Sequence, residues 1–303
     1  MILVTGSEGL IGRQVCSILA AAGIDYRPFD IRRSPAEDVR TTRDIASALN
    51  GARGVIHLAA VSRVIWGERD PELCEAVNVR ALQNLLHACV EGSRPWFIFA
   101  SSREVYGQAS ILPVNEDAPK QPMNHYARSK QLGELLVEAA TAAGLRANVC
   151  RLSSVYGCPH DHVDRVAMAF ARASAGQSDR ISIEGAGNTF DFTSVRDVAD
   201  GLWRLVQATD GGEQLPPIHF VSGRGTTLQE LAQMAAQAAV RDFVIEEARP
   251  RSFDVSQFIG DPARARSLLG WTATADLRTE FERLVRNLAT APSPVTPCNP
   301  VQP

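Results

Sequence analysis

The sequence predicts an α/β fold, a doubly wound parallel sheet with a smaller C-terminal region. Three observations predict it. Short β-rich runs alternate with helix-spaced segments through residues 1–157. Several of those runs are apolar without interruption, as strands buried on both faces are. A glycine-bearing turn joins the first run to the first helix. Such alternation calls for parallel strands with crossover helices on both faces.

Ile2-Leu3-Val4-Thr5 reads as the first strand. Ile11, Val15, Ile18, Leu19 and Ala22 follow at helical spacing, and Gly23 ends that helix. Residues 26–30 give a second strand and 45–49 a short helix. The run Gly54-Val55-Ile56-His57-Leu58-Ala59-Ala60 gives a further buried strand, with His57 as a structural residue. A long helix is expected over 71–89, a strand over 96–100, a helix over 126–143 and a strand over 147–152. Beyond Tyr156-Gly157 the alternation loosens. Helical spacing returns at 197–207 and 228–240, with a strand at 218–221. The expected division is a dinucleotide-binding Rossmann domain from 1–157 plus 190–225. A second region, 158–189 plus 226–288, sits over the strand ends, where open α/β sheets bind ligands. Residues 289–303 are proline-rich and are expected to be a disordered tail.

Thr5-Gly6-Ser7-Glu8-Gly9-Leu10-Ile11-Gly12 stands between strand and helix. Glycines at 6, 9 and 12 permit a tight turn, a close approach to pyrophosphate and tight helix packing. The helix start offers unpaired N–H groups to a phosphate. Gly6, Gly9, Leu10, Ile11 and Gly12 are therefore cofactor-binding candidates. Asp30, ending the second strand, would accept hydrogen bonds from the adenosine ribose and repel a 2′-phosphate. NAD is expected, and Arg32-Arg33 keep NADP as the second reading.

The formal net charge is -3, against the basic character of a nucleic-acid binder. No apolar run approaches ~18 residues, and no membrane partner is expected. Ile2-Leu3-Val4 already read as strand, so no leader segment is expected. Six cysteines lie scattered without CxxC pairs, which fits a cytosolic protein with free thiols.

Tyr126 and Lys130 are four apart, on one face of the expected helix. An ammonium and an oxidised nicotinamide near a phenol would favour phenolate and so make a base. Ser101-Ser102 end the buried strand facing the cofactor, and a hydroxyl there can hold the substrate oxygen.

Together these motifs resemble the extended short-chain dehydrogenases, the NAD-dependent epimerase/dehydratase family. The resemblance rests on TGxxGxxG at 5–12, His57-Leu58-Ala59-Ala60, Asn78-Val79 and Ser101-Ser102 with Val105-Tyr106-Gly107. It continues with Tyr126-x-x-x-Lys130, Arg151-x-x-x-Val155-Tyr156-Gly157, Asp191-Phe192-x-x-Val195-x-Asp197, Arg251-x-x-Asp254 and Asp261-Pro262 to Trp271, spanning roughly residues 1–285. It implies Tyr126 as general acid/base, and Ser102 as the catalytic hydroxyl. It implies that Lys130 binds the nicotinamide ribose and lowers the phenol's pKa. Asn78, Ala59 and Ala60 would line the cofactor pocket. The reaction implied is transient oxidation of a sugar carbinol, with a nucleotide-sugar as substrate and a homodimer formed through helices 72–90 and 126–143.

Some positions depart from the family pattern. Arg103 and Glu104 stand where the dehydratases carry an Asp-Glu pair, and Arg103 cannot protonate a leaving hydroxyl. Glu104 is read as a base or as the partner of Arg103. Phe190 replaces an arginine that binds the diphosphate, Ser154 an asparagine, and Cys158 a proline. Arg251 remains a phosphate-binding candidate. The substrate-binding set is thus Ser102, Arg103, Glu104, Ser154, Phe190 and Arg251. Cys158 to Asp164 has strand-like spacing and no zinc pattern, so no metal is expected. His125 is open between a substrate contact and an exposed helix start. Three functions remain in view: an epimerase retaining NAD, a reductase or dehydrogenase of a keto-sugar or related carbinol, and a non-catalytic NAD-sensing protein.

Overall fold

A computed structural model describes residues 1–290. Six parallel strands form the main sheet: β1 (Ile2–Thr5), β2 (Tyr26–Phe29), β3 (Gly54–His57), β4 (Trp96–Ser102), β5 (Ala147–Leu152) and β9 (Ile218–Phe220). Their order is β2-β1-β3-β4-β5-β9, all pairs parallel. The chain leaves β1 towards β2, then returns across β1 to β3. This reversal opens a crevice at the C-terminal ends of β1 and β3.

Both faces of the sheet are covered, which is why its strands carry unbroken apolar runs. On one face α1 (Leu10–Ala21) and α8 (Val195–Asp210) pack Val15, Leu19, Leu202 and Leu205 against Val4, Ile56 and Ile98. On the other, α2 (Thr42–Leu49), α5 (Ala81–Glu91) and α6 (His125–Ala142) enclose Leu3, Val55, Phe97 and Phe99.

The expected helix over 71–89 is not uniform. Between β3 and α5 the chain forms α3 (Val64–Arg69), α4 (Pro71–Glu75) and a π-helical turn, Ala76–Arg80. Asp70 caps α4 by accepting from the Leu73 N–H at 2.9 Å. The strand expected to reach Ala60 ends at His57. Leu58 to Ala60 leave the ladder and pass so close to the glycine loop that a Cβ on Gly6 would lie 2.6 Å from the Ala59 nitrogen.

The remaining strands lie outside the main sheet. β8 (Thr189–Ser194) pairs in parallel with β6 (Ser154–Tyr156) and β12 (Gln257–Phe258), and antiparallel with β10 (Gly225–Thr227). β7 (Arg180–Glu184) and β11 (Val244–Ala248) form a separate parallel pair. The helices α7 (Val166–Ser174), α9 (Leu228–Gln237) and α11 (Leu277–Thr290) share a core around Phe170, Leu231, Phe281 and Leu284. A short α10 (Ala263–Leu269) precedes Trp271, which packs on Phe220 at 5.0 Å.

Two expectations need correcting. The segment from Cys158 to Asp164 is a loop of turns, not strand-like, because Asp161 folds back to accept from the His162 N–H at 2.8 Å. The tail was expected from residue 289, but α11 carries Ala289 and Thr290. The rest of that tail lies outside the described residues.

Candidate active site

A cavity of about 440 Å³ runs along the crevice at the strand ends. Gly6, Gly9, Leu10, Ile11, Gly12, Asp30, Ala59 and Ala60 line one stretch of it, and Ser102, Tyr126 and Lys130 another. Gly6 holds φ +70, a conformation that side chains disfavour. A Cβ on Gly12 would collide with the Gly6 carbonyl oxygen. Gly9 caps α1 with no side chain, which leaves the first N–H groups of the helix available to an anion. This cradle fits a dinucleotide pyrophosphate.

Asp30 is buried at the end of β2. Its carboxylate accepts from the Glu8 N–H and the Arg32 N–H, each at 2.9 Å, and so fixes the glycine loop to β2. The arginines around it already face carboxylates. Arg13 pairs with Glu8 at 2.5 Å, Arg33 with Glu37 at 3.3 Å and Arg40 with Asp38 at 2.6 Å. Arg32 lies 3.5 Å from Asp30 itself. With each of these arginines already facing a carboxylate, and the Asp30 charge at the strand end, the surround favours a ribose with free hydroxyls over a 2′-phosphate.

At the other end, Asn124 caps α6 by accepting from the Ala127 N–H at 2.8 Å, which sets Tyr126 in the first turn. Ser102 lines the cavity together with Tyr126, and its Oγ accepts from the Glu104 N–H at 3.2 Å. Lys130 Nζ donates to the Ala100 carbonyl at 2.9 Å and lies 5.9 Å from the Tyr126 ring centre. Burial pushes the Tyr126 phenol up to about 12, opposed by the neighbouring Ser102 hydroxyl and the charge of Arg165. Burial pushes Lys130 down to about 8.

Asn78 was expected on the pocket wall and stands one layer behind it. Its Oδ1 accepts from the Val61 N–H at 2.8 Å, and its Nδ2 donates to the Val61 carbonyl at 3.0 Å and to Ser129 Oγ at 2.9 Å. Val61 is the residue on the wall, and Asn78 positions it. The π-helical turn places this amide, and such turns recur at functional sites.

Of the substrate-binding candidates only Ser102 lines the cavity. Arg103 pairs with Glu104 at 2.9 Å and lies over the Phe190 ring at 4.6 Å and the Phe258 ring at 5.6 Å. Glu104 also accepts from Asn124 Nδ2 at 3.2 Å, so it is a bound partner rather than a free base. Ser154 stands in β6 beside Phe192 of β8. Arg251 meets two carboxylates, Glu184 at 2.7 Å and Asp254 at 2.8 Å. His125 is exposed, its N–H donating to Glu68. His57, held at 2.8 Å from Thr5 Oγ1 beside Phe97 and Phe99, is pushed down to about 3 by burial and is neutral.

The sequence reading missed Ser62, Trp66, His162 and Arg165, which line the cavity, Trp66 from the short α3 and the others from loops. Neither a loop nor a six-residue helix carries a readable period. Glu134 was legible and overlooked: it follows Lys130 by four on the same helix face and takes a hydrogen bond from Ser101 at 2.6 Å.

The profile described as the NAD dependent epimerase/dehydratase family matches residues 2–221. A UDP-glucose 4-epimerase of Rhizobium meliloti (strain 1021) is 28% identical over 309 residues, covering 91% of this chain and 93% of that relative. A GDP-6-deoxy-D-mannose reductase of Pseudomonas aeruginosa is 29% identical over 295 residues, covering 94% and 95%. The structure of MoeE5 in complex with UDP-glucose and NAD superposes with a TM-score of 0.87 at 27% identity, covering 94% of this chain and 98% of that one.

Proposed function

The chain belongs to the NAD dependent epimerase/dehydratase family, and from that premise we propose that it is an NAD-dependent nucleotide-sugar epimerase acting through Tyr126. One observation carries the reading: a single cavity joins a dinucleotide cradle to a buried Ser102, Tyr126 and Lys130. The likeness to UDP-glucose 4-epimerase over 91% of the chain supports it.

Bound NAD would supply the hydride acceptor and return the hydride to the sugar. Gly6, Gly9, Leu10, Ile11 and Gly12 would hold its pyrophosphate, Asp30 its adenosine ribose, and Ala59 and Ala60 the crevice wall. The Tyr126 phenol oxygen takes the proton of the sugar hydroxyl and later gives it back. Ser102 steadies both oxygens, since its hydroxyl accepts one hydrogen bond and donates another. Lys130, tethered to the Ala100 carbonyl, supplies positive charge beside the phenol and a donor for the nicotinamide ribose. Arg103, Glu104, Ser154, Phe190 and Arg251 would shape the substrate side. We also propose that 1–157 with 190–225 serve the cofactor, and 158–189 with 226–288 the substrate.

The test is incubation with UDP-glucose, with products separated by ion-exchange chromatography. Appearance of a second UDP-hexose without net NADH formation supports epimerisation. A second reading, reduction of a keto-sugar, is favoured by the likeness to the GDP-6-deoxy-D-mannose reductase. It requires stoichiometric loss of reduced cofactor. A non-catalytic NAD sensor would turn over neither, and the retained acid/base set speaks against it.

Among the described residues, no helix is long and apolar enough to cross a membrane. Free thiols at Cys16, Cys74, Cys89, Cys150 and Cys158 support a reducing, cytoplasmic location. A homodimer through α5 and α6 is supported by the exposed Leu132 and Leu135 on α6. Light scattering of the wild type and of Leu135→Asp tests it.

A further inference from the structure

Two segments meet at the cavity: residues 61–66, which run from the turn after β3 into α3, and the loop 157–165, which follows β6. The Arg63 guanidinium donates to the Asp164 carboxylate at 2.5 Å and to its carbonyl at 3.0 Å. Arg165 Nη2 donates to Ser62 Oγ at 3.3 Å. The Trp66 and His162 rings meet edge to face at 4.5 Å, and Arg63 lies over the Trp66 ring at 5.7 Å.

Arg165 is held from a second side as well. The carboxylate of Asp161, whose side chain is 3% exposed, lies 3.0 Å from Arg165 Nε. The guanidinium is therefore held between the Ser62 hydroxyl and the Asp161 charge, its buried Nε in no hydrogen bond, in the cavity that Ser102, Tyr126 and Lys130 also line. A clamped arginine gives a cation in a fixed orientation with little entropy left to lose.

We propose that Arg165 is a further active-site residue, a clamped cation that steadies negative charge on the oxygens gathered at Tyr126 and Ser102. The inference rests on the acid/base reading of Tyr126. Its charge is felt at the phenol against Glu104 from the turn after β4 and Cys74 from α4. Lys130 faces the ring from α6 at 5.9 Å and spends one of its three donors on the Ala100 carbonyl. Burial opposes phenolate, so a second fixed cation adds to the charge that Lys130 supplies. The loop clasp formed by Arg63 and Asp164 holds this cation at the site.

The test is the pH dependence of kcat/KM for UDP-glucose in the NAD-loaded enzyme. Arg165→Met should move the acidic limb upward by about one pH unit or more, as loss of a nearby cation does. Arg165→Lys should leave it near the wild-type position. Asp164→Asn unties the clasp while sparing Arg165 and should move the limb in the same direction. An unmoved limb in Arg165→Met overturns the inference, as does an equal shift in Arg165→Lys. Should Arg165→Met not fold, an unmoved limb in Asp164→Asn overturns it instead. A wild type inert on UDP-glucose defeats the choice of substrate. Titration of carbon-13-labelled tyrosine in the NAD-loaded protein then reads the same shift, and no shift overturns the inference. If Tyr126→Phe leaves turnover intact, the underlying reading fails; if it abolishes turnover while the Arg165→Met limb stays put, this inference fails alone.

Discussion

Glu134 and Arg151 form a forked ion pair beside the end of β4, with Arg151 Nε at 2.8 Å and Nη2 at 2.7 Å from the two carboxylate oxygens. Each oxygen takes a further donor, Ser101 Oγ at 2.6 Å and Lys120 Nζ at 3.0 Å. Arg151 Nη1 reaches the Tyr106 hydroxyl and the Glu116 carbonyl, both at 2.6 Å. The arrangement ties α6, which carries Tyr126 and Lys130, to β4 and β5.

Removing one partner of this pair strands the other. Arg151→Met should destabilise the protein by about 3–5 kcal/mol, because the Glu134 charge stays buried without its main partner. Glu134→Leu combined with Arg151→Met should recover much of that loss. Urea denaturation measures both. A single-mutant cost under about 1 kcal/mol, the worth of an exposed pair, would show that the pair does not hold the site together.

The glycine cradle makes a sharper prediction at Gly12. A methyl group there meets the Gly6 carbonyl oxygen, so Gly12→Ala must push α1 away from the loop. NAD affinity should fall about tenfold or more, the scale of 1–3 kcal/mol of overpacking strain. Gly187→Ala, where a Cβ meets nothing within 4 Å, should bind as the wild type does. Fluorescence titration with NAD compares the two.

Cofactor choice turns on Asp30. Asp30→Asn keeps the shape of the side chain and removes the charge that would repel a 2′-phosphate. Preference for NAD over NADP should narrow by about tenfold or more, a change of roughly 1.4 kcal/mol. Binding constants for both cofactors decide it, and an unchanged ratio would move the origin of selectivity to the neighbouring Glu8, Glu37 and Asp38.

The sheet and the placing of Tyr126 and Lys130 on one helix at the cavity were legible because each leaves a periodic or contextual mark. Uninterrupted apolar strands announced a sheet covered on both sides, and the glycine loop announced its switch point. Asp30 and Ser102 were found by their places at strand ends. Arg165 and His162 were hidden because loops carry no period, and Trp66 because the six-residue α3 is too short to show one; their partners lie about a hundred residues away in the chain. Asn78 was tied to the right region but assigned to the wall instead of its support. A single-residue reading cannot see that its amide is occupied by Val61. The fate of Arg103 was half legible. Pairing with Glu104 was one of two readings, whereas its place on the Phe190 ring depends on β8 coming alongside, a long-range pairing.

Acid should loosen the fold through its buried histidines. Burial holds His57 and His219 at about 3, well below the ordinary histidine value near ~6.5. Both stay neutral when folded, while the unfolded chain takes up protons below about 6.5. Their stabilising effect is complete above that pH and is lost as pH falls towards about 3. Each should cost about 1.4 kcal/mol per pH unit in that window. Urea midpoints at several pH values should show the slope, and His57→Asn should flatten it. A slope unchanged in that variant would contradict the neutral, buried assignment.

The account stands most directly on the Tyr126 phenol. The decisive measurement is epimerisation of UDP-glucose by NAD-loaded Tyr126→Phe, with bound NAD quantified in the same sample. Loss of one acid/base oxygen should cut turnover about a hundredfold or more while leaving the cofactor in place. Turnover within about twofold of the wild type, with NAD still bound, would contradict the assignment of Tyr126 as the acid/base.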